Sequence, residues 1–286
     1  MRAIAKDVYI EDDYLGVTLG AIPLTHGLIQ IDAPPSPEDC RAWRAALLNL
    51  GGGSERMLVN LDAHPDRTLG ARAMDCTIVA HEKTAQVFRS RPNTFKAQGE
   101  ETGADWESIP GLGNIRWILP EITFSHEMTI HWGETVLVLE HHPGPSAGAT
   151  WVILPEIKAV FIGDAVLRNQ PPFLAGADLP DWLETLKLLL SPAYRNWLVV
   201  SGRGGLVAVD VIRAQKDYLE QVLNKVGKLA QKKSPPEALE NLITPLLNPF
   251  KIPANRHQKY AQRLRYGLYH YYARHYHPAS NVAGEE

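Results

Sequence analysis

The stretch "RMLVNLDAHPDRTLGA", residues 56–71, restricts this chain more than any other. Its first residues are short and apolar, the pattern of a strand buried on both faces. Asp62, His64, Asp66 and Arg67 follow directly. They occupy the loop that leaves the strand's C-terminal end. That is where α/β sheets build their sites. Alternating acids and a histidine look like metal ligands. An arginine among them does not, because a guanidinium stays charged and has no lone pair to give.

The surrounding sequence supplies the sheet. "VYI", "GVTLGAIPL" and "LIQIDA" read as strands, with a turn at "THG". A helix is predicted from Ser36, an N-cap followed by Pro37, and Cys40, Trp43, Leu47 and Leu50 recur on one face. Gly51–Gly53 end it. "CTIVAH" is a strand and "EKTAQVFRS" a helix. Residues 94–118 are polar, Gly-rich and irregular, a surface loop or lid. Then come strands at "EITFS", "MTIHW" and "ETVLVLEHH", and a hairpin at "TWVILPEIKAVFIGDAV". A helix over "LPDWLETLKLLLS", a strand "WLVVSG" and a long helix from about Val207 to Lys233 complete this part.

After that the composition shifts to prolines and a short helix, which predicts one domain over 1–232 and a helical extension over 233–286. The extension ends in a helix with Tyr260, Leu264, Leu268, Tyr271 and His275 on one stripe. Packing onto the main domain or a dimer mate is expected of it. A partner or substrate surface is the other reading. The closing "PASNVAGEE" should fray.

A chain of 286 residues suits one large domain, or one with an appendage. Net charge is −3, which argues against bulk binding to nucleic acid or an anionic membrane. Cys40 and Cys76 are the two cysteines, too few for a disulfide scaffold. The N-terminus is charged throughout, and no apolar run reaches the ~18 residues of a membrane span. A cytoplasmic protein is expected. There is no GxGxxG or GKS phosphate loop and no GxSxG elbow.

Four separated segments carry a resemblance. "IDAPPSPEDCRAW" is a strand ending in Asp32, then a turn and a helix. "NLDAHPDRTLGA" stands in the place of an HxHxDH loop. "HHPGPSAGATWVILPEIKAVFIGDAV" matches a Pro-Gly turn, strand, turn, strand and Gly-Asp. "WLVVSGRGG" stands where a Gly-His-Gly turn belongs. In order and spacing the chain resembles the metallo-β-lactamase superfamily over about residues 8–230. The resemblance implies a four-layer αβ/βα sandwich of α/β class, here with a helical C-terminal extension. It also implies a shallow groove holding up to two metals, usually zinc. These activate water to hydrolyse esters, thioesters, lactams or phosphodiesters.

The family's ligand positions, mostly histidines, fall here on Asp62, His64, Asp66, Arg67, Pro145, Asp164 and Arg203. His64, Asp66 and Asp164 keep the usual residue, and the others depart. Pro145 has no donor atom, and Arg67 and Arg203 bring positive charge in place of ligands. The expectation is that no metal binds. Arg67 and Arg203 would then pair with Asp66 and Asp164, and His64 would bond a carboxylate. The groove, lined by Asp62, His64, Asp66, Arg67, His142, Asp164 and Arg203, would serve a small ligand or a partner, an anion included. The alternative is a hydrolase of activated esters, thioesters or lactones. It would use Asp66 as base with Arg67 and Arg203 on the oxyanion, or one divalent metal (zinc, iron or manganese) on Asp62, His64 and Asp164. Asp32 should orient the 62–67 loop. Trp106, Trp117 and Phe173 lie on loops able to cover the groove. No nucleic acid or membrane partner is expected, and a homo-oligomer through the C-terminal aromatic helix is possible on this reading.

Overall fold

The computed structural model describes residues 1–92, 94–95, 101–113 and 115–276. The tail expected to fray at 278–286 and part of the 94–118 loop lie outside the described residues. Two sheets form the centre. The first runs in sequence order through β1 (Arg2–Ala5), β2 (Val8–Glu11), β3 (Leu19–Pro23), β4 (Gly27–Ile31), β5 (Glu55–Val59), β6 (Thr77–His81) and β7 (Ile122–Phe124). Its first four strands are antiparallel, and β4 to β7 are parallel. The parallel half needs crossovers. These contain α1 (Pro37–Leu47), then α2 (Pro65–Thr68), then α3 (Glu82–Ser90). Ser36 caps α1, its hydroxyl accepting from the amides of Glu38 and Asp39.

The second sheet has the order β13-β12-β11-β10-β9-β8. Its strands are β8 (Glu127–Ile130), β9 (Leu137–His141), β10 (Thr150–Leu154), β11 (Ala159–Phe161), β12 (Leu198–Ser201) and β13 (Gly205–Val207). Four helices follow or interrupt it: α4 (Leu179–Leu189), α5 (Val209–Gln231), α6 (Glu240–Leu247) and α7 (His257–Tyr276).

The strands are apolar on both faces because each face meets a different layer. In β5, Met57 and Val59 point between the sheets, where they join Val152 and Phe161. Leu58 points the other way, onto Cys40, Trp43 and Leu47 of α1. Across the second sheet, Trp151 and Val160 face Trp182, Leu186, Leu219 and Val222 of α4 and α5. The result is a four-layer αβ/βα sandwich. Each large buried side chain contributes roughly 1.5–3 kcal/mol to it. Tyr260, Leu264, Leu268 and Tyr271 of α7 are buried in the same cluster as α4 and α5. His275 leaves that stripe: it is exposed at the helix end, its ring stacked on Tyr271 at 4.2 Å.

Three short elements were not legible. β1 is an edge strand of four residues, β13 has three residues, and α2 has four. Each is held by its neighbours rather than by a pattern of its own. Among the described residues no helix is long and apolar enough to cross a membrane.

Candidate functional site

Strand ends from both sheets converge on one point. Asp32 follows β4, Asp62 and His64 follow β5, Asp164 follows β11 and Arg203 follows β12. Locally the chain holds itself in place. The carboxylate of Asp62 accepts from the amide of His64 at 2.8 Å. His64, in extended backbone, caps α2 by accepting the Asp66 amide on Nδ1 at 3.3 Å. Pro65 occupies the first turn, where its missing N–H costs nothing. Asp66 and Arg67 are thereby set on a single turn of helix, both fully buried.

Arg67 Nη1 donates to Asp32 Oδ2 at 2.9 Å, and Nη2 donates to Asp164. Its Nε lies 3.2 Å from Asp62 Oδ1, in contact but outside hydrogen-bond geometry. Arg203 Nε donates to both oxygens of Asp164, at 3.0 and 3.2 Å. Its Nη1 donates to Asp66 and, at 2.8 Å, to the Gly16 carbonyl. Its Nη2 donates to His64 Nδ1 at 3.1 Å. Asp66 Oδ1 also accepts the Trp106 amide at 2.6 Å. A glycine makes room for this: a Cβ on Gly202 would lie 2.8 Å from Arg67 Nη1.

Asp32, Asp62, Asp66 and Asp164 thus face the guanidiniums of Arg67 and Arg203, an excess of acids over bases. The imbalance sets the ionisation. Burial pushes the Asp32 carboxyl up to about 7 despite Arg67. Burial likewise raises Asp62 and Asp66. For Asp164 burial also disfavours charge, but Arg203 and Arg67 outweigh it and hold the carboxyl below its usual range. Burial and then Arg203 push the imidazole of His64 well down. Its Nδ1 accepts N–H donors, so the neutral ring carries its hydrogen on Nε2.

Asp32 therefore does more than orient a loop. It accepts the Leu61 amide at 2.9 Å on one oxygen and Arg67 on the other. Asp66, Arg67 and Arg203 lie beneath the groove rather than on its surface. His142 is not part of the cluster. Its ring stacks on Trp151 at 3.9 Å and its Nε2 meets Glu140 at 2.9 Å, because it follows β9 on the opposite side from His141.

Above the cluster runs a groove of about 470 Å³. Asp62, His64 and Asp164 reach it from the floor, and Pro145 and Phe173 line it. The rings of His64 and Phe173 are 4.5 Å apart. Trp106 also lines it, whereas Trp117 stands behind, under the guanidinium of Arg91 at 4.6 Å. Among the described residues, donor atoms from Glu11, Asp12 and Asp13 meet within 4.8 Å, but those of Asp62, His64 and Asp164 form no such group.

A profile of the metallo-beta-lactamase superfamily matches residues 63–202. A metallo-beta-lactamase from Pontibacter korlensis superposes with a TM-score of 0.63 at 19% identity, covering 77% of this chain and 97% of that one. Over that span the chain carries the sequence profile of the metallo-beta-lactamase superfamily, and it has that superfamily's fold. The fold is shared too with DIM-1 metallo-beta-lactamase, TM-score 0.61 at 15% identity, with 77% of this chain and 96% of that one covered. A double mutant of the sec-alkyl sulfatase PisA1 gives 0.65 at 14% identity over 99% of this chain and 52% of that one. No curated protein sequence matches the chain.

Beyond the matched span, α7 brings residues to the groove that a reading by superfamily motif passes over. Arg263, Tyr266, Gly267 and Arg274 all line it. Arg263 is buried, its guanidinium 4.0 Å over the Phe173 ring, with Arg203 at 4.5 Å from the same ring. Asp105, also buried, lies within 3.8 Å of Arg263 and Lys259 and 3.2 Å of Arg256. One signal was present in the sequence. Arg263 falls between Tyr260 and Gly267 on the buried stripe of α7, and a charge on such a stripe needs a reason.

Proposed function

We propose that this protein has kept the groove without the two-metal centre and uses it to bind a small ligand. One observation carries the reading: the guanidiniums of Arg67 and Arg203 lie at hydrogen-bond distance among Asp32, Asp66 and Asp164. They balance the charge that bound ions would balance. The residues present do not fit a dinuclear centre. Pro145 has no donor atom, and His64 Nδ1 already accepts from Asp66 and Arg203. An added divalent ion ~4 Å from either guanidinium would be repelled by several kcal/mol at an effective dielectric of about 20.

A second reading has its own support. Asp62, His64 and Asp164 do face the groove. With one divalent metal, or by acid–base chemistry alone, they would suit hydrolysis of an activated ester, thioester or lactone.

Elemental analysis of the purified protein separates the two. The binding reading expects no stoichiometric zinc, iron or manganese, and a melting temperature indifferent to chelator. Near-stoichiometric metal, or metal-dependent turnover in a panel of ester, thioester, lactam and phosphodiester substrates, would overturn it. Combining Arg67→His, Pro145→His and Arg203→His should create metal uptake.

A further inference from the structure

Building on that groove as a ligand site, we infer that its occupant is an amphipathic monoanion. The charged head would sit on Arg263 and Arg91, and the apolar body against Phe173, Leu174 and Trp106.

The argument starts from charge. The acids that reach the groove, Asp62 and Asp164, are both in contact with Arg67, and Asp164 with Arg203 as well. Three other guanidiniums reach it: Arg91, Arg263 and Arg274. Among the described residues, neither Arg91 nor Arg274 has a carboxylate within 4.0 Å, and Arg274 donates to the carbonyls of Ala175 and Ala177. Arg263 lies 3.8 Å from Asp105, which it shares with Arg256 and Lys259. Arg67 and Arg203 leave two of the four acids below unmatched. Asp105 is met by Arg256 and Lys259. Arg91, Arg263 and Arg274 outnumber the two, so with His64 uncharged the groove carries surplus positive charge.

Unmet hydrogen bonds lie along the same walls. Arg263 is 1% exposed, and its Nε and Nη1 bond the Gly103 carbonyl, Gln170 and the Pro171 carbonyl. Its Nη2 has no hydrogen-bond partner, nor have Arg91 Nη1 and Ser146 Oγ, two more buried atoms of groove residues. A buried donor left unpaired costs about 1–3 kcal/mol, and an anionic oxygen would relieve it. Burial and Arg203 push the Arg263 guanidinium down to about 10, which leaves it charged at neutral pH. Apart from Thr102 and the Tyr266 hydroxyl, the rest of the lining is largely apolar, with Ala63, Val87, Trp106, Phe173 and Leu174. A small inorganic anion would leave that surface wet, and an uncharged apolar molecule would leave the donors unmet.

Titration calorimetry on the full chain tests this with decanoate, decyl sulfate, decan-1-ol and acetate, each below any micelle concentration. Decanoate or decyl sulfate should bind once per chain, about tenfold or more tighter than decanol or acetate. The better of the two identifies the head as carboxylate or sulfate. Arg91→Gln and Arg263→Lys should each weaken the anion about tenfold and leave decanol unchanged. Arg91 is half-buried at the rim, so its variant should stay folded, as a melting curve would verify. Decanol matching the anions, no anion binding, or anion affinity surviving Arg91→Gln would each overturn the inference. Stoichiometric zinc would sink the metal-free reading and still leave charge selectivity measurable, so the two failures are distinguishable.

Discussion

Arg67, under the groove, contacts carboxylates at every guanidinium nitrogen: Asp32, Asp62 and Asp164. Arg263, on the wall built by α7, meets mainly carbonyls and an amide, and its nearest carboxylate is 3.8 Å away. Both are buried, and both belong to one small region of the molecule. The surroundings move them in opposite directions. For Arg67 burial opposes charge, but Asp164, Asp62 and Asp32 outweigh it and the guanidinium becomes still harder to deprotonate. For Arg263 burial and Arg203 prevail and lower it. A guanidinium with a carboxylate within 3.2 Å of every nitrogen holds structure together. One whose nearest carboxylate is 3.8 Å away, on a side chain that lines a groove, has a donor to offer a ligand.

The sharpest way to break that contrast is Arg67→Leu. It strands buried acids, so stability should fall by about 3–5 kcal/mol. At this chain length that lowers the melting temperature by roughly 10 °C. A loss below about 1 kcal/mol would mean the floor is not held by this network.

The acid excess predicts a pH effect nearly as large. The folded value of Asp32, about 7, lies above its usual 3.8. Its contribution to stability is therefore complete below about pH 4 and is lost as pH rises through 7. At about 1.4 kcal/mol per unit, this amounts to a few kcal/mol. Asp32→Asn removes the proton equilibrium and keeps an acceptor for Leu61 or Arg67 but not for both, so denaturation curves from pH 4 to 8 should start lower and flatten. A variant with the parent's slope would place the titrating proton elsewhere.

Gly202→Ala perturbs the floor by shape alone. The new methyl would press on Arg67 Nη1 and on the Gly163 carbonyl carbon, at 2.8 and 2.9 Å. A loss of about 1–3 kcal/mol by chemical denaturation is expected, smaller than removing the charge. Arg91→Gln should cost least, about 1 kcal/mol or less, because the side chain gives up ring stacking and no ion pair. A larger cost would assign Arg91 to the framework and blur the distinction between floor and wall.

Much of this was legible residue by residue. Short apolar runs bounded by turn residues marked the strands, Ser36 and Pro37 marked the start of α1, and the quoted segments marked which loops would meet. Short elements such as β1 and β13 were not, since three or four residues carry no period. Asp32 could be read as a loop-orienting acid, but its bond to Arg67 spans 35 residues and has no local trace. Arg263 lies 160 residues from the carbonyl it bonds at Gly103. Asp105, from a loop with no motif, completes its surroundings.

By itself the sequence determined most of the strands and helices and the identity of the charges at the strand ends, because apolar patterning and residue chemistry are local properties. The tertiary structure alone decided which acid meets which arginine, and that α7 folds back to supply a wall with donors to spare. Those pairings depend on distances between chain segments far apart in sequence, and no local pattern encodes them.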